Sequence, residues 1–356
     1  MLTRKPKNPS VLNLRAGEIV EVCSREEILS TLDKEGKLDA LPFMPEMLKH
    51  CGERVKVFKR AHKTCDTIDY TGARRMTNAV HLEGVRCDGE AHGGCQAGCL
   101  IFWKEAWLKR VGLDPIEETV ANEHELLRAS NPNPVGEFVP SCSEATLMKA
   151  TRAGTDEDGS GEETFSCQAT ELREATSPLA WWDIRQYITD IRSGNVGIGE
   201  ILRAILFWMF TKTLKLGAYK AQIWMFNRIQ QLRGGSPYPF KHGNLTKTPS
   251  TALNLQAGEL VQVKTQDEIL LTVNRHNRNR GLSFDAEMVG YCGGQFRVLR
   301  RVDKVINEKT GKMIKIQNDC IILEGVTCKG QYSNKRLFCP RDSYHFLREI
   351  WLKRLT

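Results

Sequence analysis

The 356-residue chain lacks the sequence patterns that mark several common enzyme classes. It has no phosphate-binding loop, no dinucleotide-binding fingerprint and no nucleophile elbow, so none of those chemistries is indicated. Its first ten residues, MLTRKPKNPS, are basic and polar with no apolar core after them, so we expect no secretory signal peptide and a cytoplasmic location. Thiols stay reduced in that compartment, which makes disulfides the less favoured role for the 12 cysteines.

The chain also lacks an uninterrupted apolar run of membrane-spanning length. Its most apolar segment, 199–232, is broken by Glu200, Arg203, Lys212 and Lys215 before about 20 apolar residues accumulate. The segment is predicted to form one long helix or two shorter ones. We expect its apolar side to be buried against the rest of the protein. The alternative is peripheral contact with a membrane surface, because basic residues flank the apolar face.

Charge is unevenly distributed along the chain, whose net charge is +8. Residues 251–356 contain 18 basic and 11 acidic side chains, a surplus that would suit a nucleic-acid partner. The basic residues that would make such contacts are Arg297, Arg300, Arg301, Lys304, Lys309, Lys312 and Lys315. Aromatic side chains for base stacking are scarce there, so we favour a solvated basic surface over a nucleic-acid site.

One pattern occurs twice. NLRAGEIVEVCSREEILSTL (13–32) is matched by NLQAGELVQVKTQDEILLTV (254–273), and HLEGVRC (81–87) by the end of IILEGVTC (321–328). The offset is 241 from Asn13 to Cys87 and becomes 244 by Trp107. A chance match would not keep register over such a distance, so the pattern indicates an internal duplication.

Each copy is predicted to be a small β-barrel. AGEIVEV and AGELVQV alternate apolar and polar residues after a glycine turn, as half-buried strands do. About five such strands in roughly 90 residues suggest a barrel. Each copy is predicted to end on an amphipathic helix, LIFWKEAWLKRV or YHFLREIWLKRL.

These motifs, with a later Cys-Gly turn before a valine-rich strand, resemble the SH3-like barrels appended to many bacterial proteins. The whole chain resembles an uncharacterised bacterial family with a duplicated, cysteine-bearing domain. Neither resemblance implies an activity. We therefore predict an α+β protein in four parts: a first cysteine-rich barrel repeat (9–115), an acidic flexible linker (116–170), a mainly helical insert (171–249) and a second barrel repeat (250–356).

The stretch RCDGEAHGGCQAGCLIFW (86–103) suggests a metal site in the first repeat. Tetrahedral zinc takes four thiolate or imidazole ligands, often as close pairs, and an iron–sulfur cluster could use the same thiolates. We expect Cys95 and Cys99 to lie one helical turn apart on one face. The predicted ligands are Cys51, Cys87, Cys95 and Cys99, with Cys65 and His92 as substitutes for the fourth. The remaining interpretation is that these cysteines fill small gaps in a core, as we expect of Cys23, Cys142 and Cys167.

The second repeat retains fewer of these residues. Cys292 and Cys328 match Cys51 and Cys87, and Cys339 matches either Cys95 or Cys99. The second site is therefore either a three-thiolate site that needs an outside ligand or no metal site at all.

Catalytic groups are weakly indicated. His62 and Cys65 are too loosely spaced for a persuasive thiolate–imidazole pair. Glu46, Glu83, Glu287 and Glu324 recur in both copies, so they are expected to be structural, for example as partners of Arg60 and Arg301.

We therefore expect a metal-binding accessory or interaction protein rather than an enzyme, with zinc favoured over an iron–sulfur cluster. The alternatives are an iron–sulfur or metal-dependent redox enzyme and a nucleic-acid-binding protein. A protein partner is expected, but its identity is not indicated.

Overall fold

In the computed structural model, which describes residues 11–111, 142–155, 163–214, 219–332 and 335–355, the first repeat consists of short strands around one apolar core. Its elements in chain order are β1 (Ile19–Val22), α1 (Arg25–Thr31), β2 (Lys37–Leu38), β3 (Leu41–Pro42), β4 (Arg54–Arg60), β5 (Lys63–Cys65), β6 (Ala73–Arg75), β7 (Ala79–Arg86), β8 (Leu100–Lys104) and β9 (Leu108–Arg110). Helix α1 begins with a capping box between Ser24 and Glu27, which satisfies backbone N–H groups at its first turn.

Five of these strands form an antiparallel sheet in the order β8-β7-β4-β1-β9. The predicted alternation in β1 is confirmed, because Val20 and Val22 are fully buried and Ile19 is exposed. Val20 pairs with Val55 of β4, and Val57 pairs with Leu82 of β7. The apolar core therefore extends across β1, β4 and β7. This core supports the loop between β7 and β8.

The predicted helices at the ends of the repeats are wrong. LIFWKEAWLKRV forms β8, a 3-10 turn (Glu105–Trp107) and β9, and its counterpart ends in a 3-10 turn (Glu349–Trp351) and a strand. All five residues of β8 are buried, and a strand buried on both faces has an apolar run that periodicity cannot distinguish from a buried helix. Cys95 and Cys99 consequently lie in a loop and not on a helical turn.

The middle of the chain is mainly helical after residue 180. Its elements are α2 (Glu144–Ala150), β10 (Arg152–Thr155), β11 (Glu163–Phe165), β12 (Ser177–Leu179), α3 (Arg185–Arg192), α4 (Ile198–Thr213) and α5 (Tyr219–Leu232). Within the expected linker 116–170, Cys142, Leu147 and Cys167 are packed into the core of the first repeat. Residues 116–141 and 156–162 lie outside the described residues.

The second repeat has a similar order of elements around a separate core, but no strand at the position of β8. They are β13 (Leu260–Val263), α6 (Gln266–Leu270), β14 (Arg278–Asn279), β15 (Leu282–Ser283), β16 (Gln295–Arg301), β17 (Lys304–Ile306), β18 (Met313–Lys315), β19 (Ile321–Leu323) and β20 (Leu352–Arg354). Its antiparallel sheet has the order β19-β16-β13-β20. Val261 pairs with Phe296, each 241 positions beyond the Val20–Val55 pair of the first repeat. The architecture is therefore mixed α+β with several antiparallel sheets.

A buried carboxylate fastens the start of each repeat. Glu105 accepts backbone hydrogen bonds from residues 12–14 and pairs with Arg60 at 3.1 Å. Glu349 does the same for residues 253–255 and pairs with Arg301. The expectation that Arg60 and Arg301 pair with the recurrent glutamates of the earlier motifs is therefore wrong. A carboxylate with three N–H donors and a guanidinium has its charge compensated despite burial.

The two repeats contact each other through reciprocal elements. Gln96, in the β7–β8 loop of the first repeat, accepts hydrogen bonds from the backbone of Asp303 and Lys304 beside β17. In the other direction, Arg341 of the second repeat donates to Thr67, just after β5, at 2.8 Å. Each loop therefore lies against the hairpin of the other repeat.

Candidate metal centre

The candidate centre is built on the loop that joins β7 to β8, residues 87–99. The loop turns on glycines with positive φ, including Gly89 at +79° and Gly93 at +63°. A Cβ at Gly89 would lie 1.9 Å from the Cys95 carbonyl oxygen, so only glycine lets the loop return so closely on itself. The Cys87 N–H donates to the Cys99 carbonyl, which closes the base of the loop.

Three possible metal ligands converge at this loop. Glu46, from the 3-10 helix Pro45–His50, lies with Cys87 and His92 so that one ligand atom of each falls within 4.8 Å of the others. The Cys87 thiol donates to Glu46 Oε1 at 3.0 Å, and His92 Nε2 is 3.1 Å from the same oxygen. In this cluster, Glu46 Oε2 and His92 Nδ1 are buried without a hydrogen-bond partner. Such compact, partly unsatisfied donors suit a small cation.

Four thiols face a small cavity beside this cluster. The cavity has a volume of about 50 Å³ and its lining includes Cys87, Cys95, Cys99 and Cys167. Electrostatic interactions link Cys87 to Cys99 and Cys167, and Cys95 to Cys99. His92 lines the same space. The lining of this cavity therefore includes sulfur and nitrogen donors, and the Glu46 carboxylate contacts two of the lining residues, Cys87 and His92.

The protonation of these thiols follows from burial. Burial raises the pKa of Cys99 to about 11 and that of Cys167 to about 12. Burial, followed by the charge of Glu46, raises the pKa of Cys87 well above its usual range. For Glu46, burial is outweighed by hydrogen bonds from His92 and Cys87, so the pKa of that carboxyl lies below its usual range. A protonated, buried thiol is a poor nucleophile, but a metal can displace its proton.

The structure revises the predicted ligand set. Cys87, Cys95, Cys99 and His92 come together, but Cys51 does not line the cavity. The Gly52 N–H donates a hydrogen bond to the Val22 carbonyl, so the neighbouring Cys51 lies near the end of β1, just before α1.

Sequence reasoning missed Glu46 as a member of the cluster and Cys167 as part of the cavity lining. Cys167 belongs to the core, as expected, but it also lines the cavity. It comes from a segment with no counterpart in the other repeat, so no spacing indicated this second position. Glu46 was expected to be structural, although its recurrence at Glu287 marked the position as constrained.

The second repeat gathers a different set of thiols. The Cys95 N–H donates a hydrogen bond to the His92 carbonyl, and the Cys339 N–H donates one to the Arg336 carbonyl in the same way. Cys339 therefore corresponds to Cys95. The Cys328 N–H donates a hydrogen bond to the Ser343 carbonyl, just as the Cys87 N–H donates one to the Cys99 carbonyl. Ser343 therefore corresponds to Cys99, and a hydroxyl replaces that thiol. Cys339 interacts electrostatically with Cys65 of the first repeat, and Cys328 interacts with both. Cys292 is directed to the Met288 carbonyl, and burial raises its pKa to about 12.

Several basic residues of the predicted nucleic-acid surface have partners within the protein. Arg301 pairs with Glu349, Lys309 lies 3.5 Å from Asp69, and Lys304 donates to the Gly93 carbonyl at 2.8 Å.

The helices α4 and α5 present apolar side chains to solvent, contrary to the expectation of burial. The exposed ones on these helices are Ile198, Leu202, Ile205, Leu206, Trp208, Met209, Tyr219, Trp224, Met225, Ile229 and Leu232. The opposite side is attached to the protein by an aromatic cluster, in which Phe207 contacts Tyr332 and Phe240. Within the described part of the chain, no helix has both the length and the apolarity needed to cross a membrane.

Compared with known proteins, the chain matches no family model and no curated protein.

Proposed function

We propose that this protein is a metal-binding accessory protein whose first repeat holds one zinc ion at Glu46, Cys87 and His92. The observation that supports the ion most directly is the convergence of a carboxylate oxygen, a thiol and an imidazole nitrogen within 4.8 Å. Ligand atoms about 2.0–2.3 Å from zinc at tetrahedral angles are separated by distances of this order. The remaining coordination position would face the thiol-lined cavity.

An iron–sulfur cluster is the second candidate for the same region. Four thiols around a cavity of about 50 Å³ match the ligand count of such clusters. The two candidates differ in their need for Cys167, which belongs to the cavity but not to the Glu46–Cys87–His92 group.

Metal analysis and an absorption spectrum of the protein purified without oxygen test this proposal. We expect one zinc per chain and no visible absorption, with zinc lost in Cys87→Ala and in His92→Ala. Cys51→Ala is the matched control, because Cys51 does not line the cavity and should not affect zinc. Circular dichroism of each variant separates loss of metal from loss of fold.

The outcomes are distinct. If the protein contains iron with acid-labile sulfide, and Cys167→Ala loses both, the site holds an iron–sulfur cluster and not zinc. Absence of both metals from a folded protein, or full zinc in Cys87→Ala, would contradict the proposal.

We also propose that each repeat is an SH3-like barrel and that the two arose by duplication within a bacterial family of such proteins. The support is the shared element order and the equivalent strand registers at an offset of 241. On this proposal the protein works in the cytoplasm as a scaffold with a metal-stabilised first repeat.

Helices α4 and α5 support a second role, peripheral attachment to an anionic lipid bilayer. Trp208 lies under Lys212, with 5.2 Å from the ammonium to the ring, and Trp224 lies under Arg228 at 5.8 Å. Aromatic rings beside basic groups suit the boundary between acyl chains and anionic headgroups. The two helices contain four basic residues, Arg203, Lys212, Lys220 and Arg228, and one acidic residue, Glu200.

Vesicle flotation tests the attachment. We expect retention on vesicles with phosphatidylglycerol and not on phosphatidylcholine alone, and a loss of at least tenfold in Trp208→Ser/Trp224→Ser. The matched control is Trp181→Ser/Trp182→Ser, which removes two exposed tryptophans outside these helices and should leave retention unchanged. No retention of the wild-type protein, or equal loss in both double variants, would contradict attachment through α4 and α5.

A further inference from the structure

A second pair of thiols lies where the two repeats meet. Cys65 ends β5 of the first repeat, and Cys339 belongs to the β19–β20 connection of the second. Their side chains interact electrostatically although 274 residues separate them in sequence. Cys339 is only 7% exposed, so the contact is buried.

Neighbouring contacts on both sides hold the two segments together. The Lys63 ammonium lies 5.9 Å from the centre of the Phe338 ring, and Arg341 donates to Thr67 at 2.8 Å. The segments 63–67 and 338–341 therefore run side by side, with Cys65 beside Cys339 in the middle. These two side-chain contacts keep Cys65 and Cys339 on neighbouring segments.

Comparison with the first repeat shows how the chemistry differs. Cys95 corresponds to Cys339, and the residue that faces Cys95 is Ile306, whose N–H approaches the Cys95 sulfur at 3.4 Å. Ile306 is 241 positions beyond Cys65. The second site thus has a thiol where the first has the sec-butyl side chain of Ile306.

The corresponding site in the second repeat also has fewer potential metal ligands. Arg336 stands where the first site has His92, and Ser343 stands where it has Cys99. Among the described residues, Glu46, Cys87 and His92 are the group whose ligand atoms all fall within 4.8 Å, and Cys65, Cys328 and Cys339 do not form one. Two cationic side chains and a thiol pair suit thiol oxidation better than cation binding.

We propose that Cys65 and Cys339 form a reversible disulfide that joins the two repeats. Cys65 has the character of the attacking thiolate, because the hydrogen bond from Cys339, followed by the charges of Arg341 and Arg336 acting against burial, lowers its pKa to about 6. The hydrogen bond to Cys65 and burial raise the pKa of Cys339 well above its usual range. The opposite directions of the two pKa shifts assign the attacking role to Cys65 and the second, resolving role to Cys339.

The oxidant we name is hydrogen peroxide. The Cys65 thiolate attacks one peroxide oxygen, the O–O bond breaks, and the released hydroxide takes a proton to become water, which leaves a sulfenic acid on Cys65. The Cys339 sulfur then attacks the sulfenyl sulfur with loss of its proton, the S–S bond forms, and the S–O bond breaks to release a second water. Two thiols lose two electrons and one peroxide becomes two waters. Two equivalents of a small thiol reverse the link by exchange.

A route for a small oxidant exists at the neighbouring residue. Phe338 lines an open cavity of about 680 Å³ between the second repeat and helices α4 and α5. Tyr332 and Gln331, from the same connection, line it as well. This cavity brings solvent to the residue that precedes Cys339.

Peptide mapping of the full-length protein tests the disulfide. Trypsin releases Cys65 in TCDTIDYTGAR (64–74) and Cys339 in LFCPR (337–341), and neither peptide contains another cysteine. After one equivalent of hydrogen peroxide and alkylation of the remaining thiols, we expect the two peptides linked, with a mass 2 Da below their sum. Dithiothreitol should separate them. Cys65→Ser should abolish the link, and the control Cys320→Ser, which removes a buried thiol elsewhere, should retain it.

Three results would overturn the proposal. They are alkylation of both peptides without a link after oxidation, linkage of Cys65 to Cys328 instead, and a fall in bound zinc or iron in a folded Cys65→Ser variant, which would make the pair metal ligands. The wild-type map is decisive even if Cys65→Ser fails to fold. The test does not depend on the metal content of the first repeat.

Discussion

Thr67 and Glu308 occupy corresponding positions of the two repeats, 241 residues apart, and the Thr67 hydroxyl donates a hydrogen bond to the Glu308 carboxylate. Arg341 completes the group by donating to Glu308 Oε1 at 2.6 Å. The group therefore joins the two repeats through a pair of corresponding positions.

Arg341→Met should destabilise the protein by on the order of 3 kcal/mol, because it leaves the Glu308 carboxylate partly buried without its cation. Urea unfolding measures the loss. Arg341→Met/Glu308→Gln should recover part of it, since no charge then remains unpaired. A double variant that loses the sum of the two single changes would show that the pair is not coupled.

Gly89→Ala should disrupt the metal centre, whereas Gly84→Ala should not. Both glycines have positive φ, +79° and +74°, so each substitution carries a backbone cost of about 1 kcal/mol. A Cβ at Gly84 meets open space, but at Gly89 it overlaps the Cys95 carbonyl. The thermal unfolding temperature and the zinc content are measured for both variants and compared. Equal losses in the two would mean that the close return of the loop is unimportant.

Stability should fall as the pH falls from about 6.5 to 4. Burial lowers the pKa of His62, His81 and His345 to about 4, so these imidazoles stay neutral in the folded protein. The unfolded chain binds their protons near pH 6.5, so their contribution is complete above that pH and is lost on acidification towards the folded pKa. Each imidazole contributes a slope of at most about 1.4 kcal/mol per pH unit.

Urea unfolding at several pH values in this window measures the slope. His345→Phe should reduce this slope by the contribution of one imidazole. The substitution breaks no hydrogen bond of Nε2, because that atom has no partner. The exposed His276→Phe is the control. A slope unchanged by His345→Phe would mean that this imidazole is already protonated in the folded state.

Lys63→Met should detach α3 from the first repeat. The Lys63 ammonium is 2.6 Å from Asp190 of α3, and both side chains are at most 1% exposed. Loss of the cation leaves a buried carboxylate, at a cost of about 3–5 kcal/mol. The control is Lys304→Met, at the corresponding position, where the ammonium donates to a carbonyl and no carboxylate is left unpaired. Unfolding experiments and hydrogen exchange in α3 compare the two, and similar losses would contradict the prediction.

Local patterns in the sequence predicted β1 and β13, because their alternation reflects one buried and one solvated face. They did not predict β8, whose residues are buried on both faces and have no alternation to detect. The loop thiols Cys87, Cys95 and Cys99 were predictable as neighbours because glycines crowd the short segment that contains them. Cys167 and the Cys65–Cys339 pair were not, since tertiary packing alone joins segments more than 60 residues apart.

The wall of the thiol cavity has a consequence for the order of events during synthesis. Cys95 leaves the ribosome more than 200 residues before Ile306, Glu308 and Arg341, which close its far side. Contacts of such high sequence separation form late in folding. The nascent chain therefore exposes these thiols to solvent for most of translation. On the proposed function, an ion could enter without opening the finished protein only until the last 50 residues fold into place.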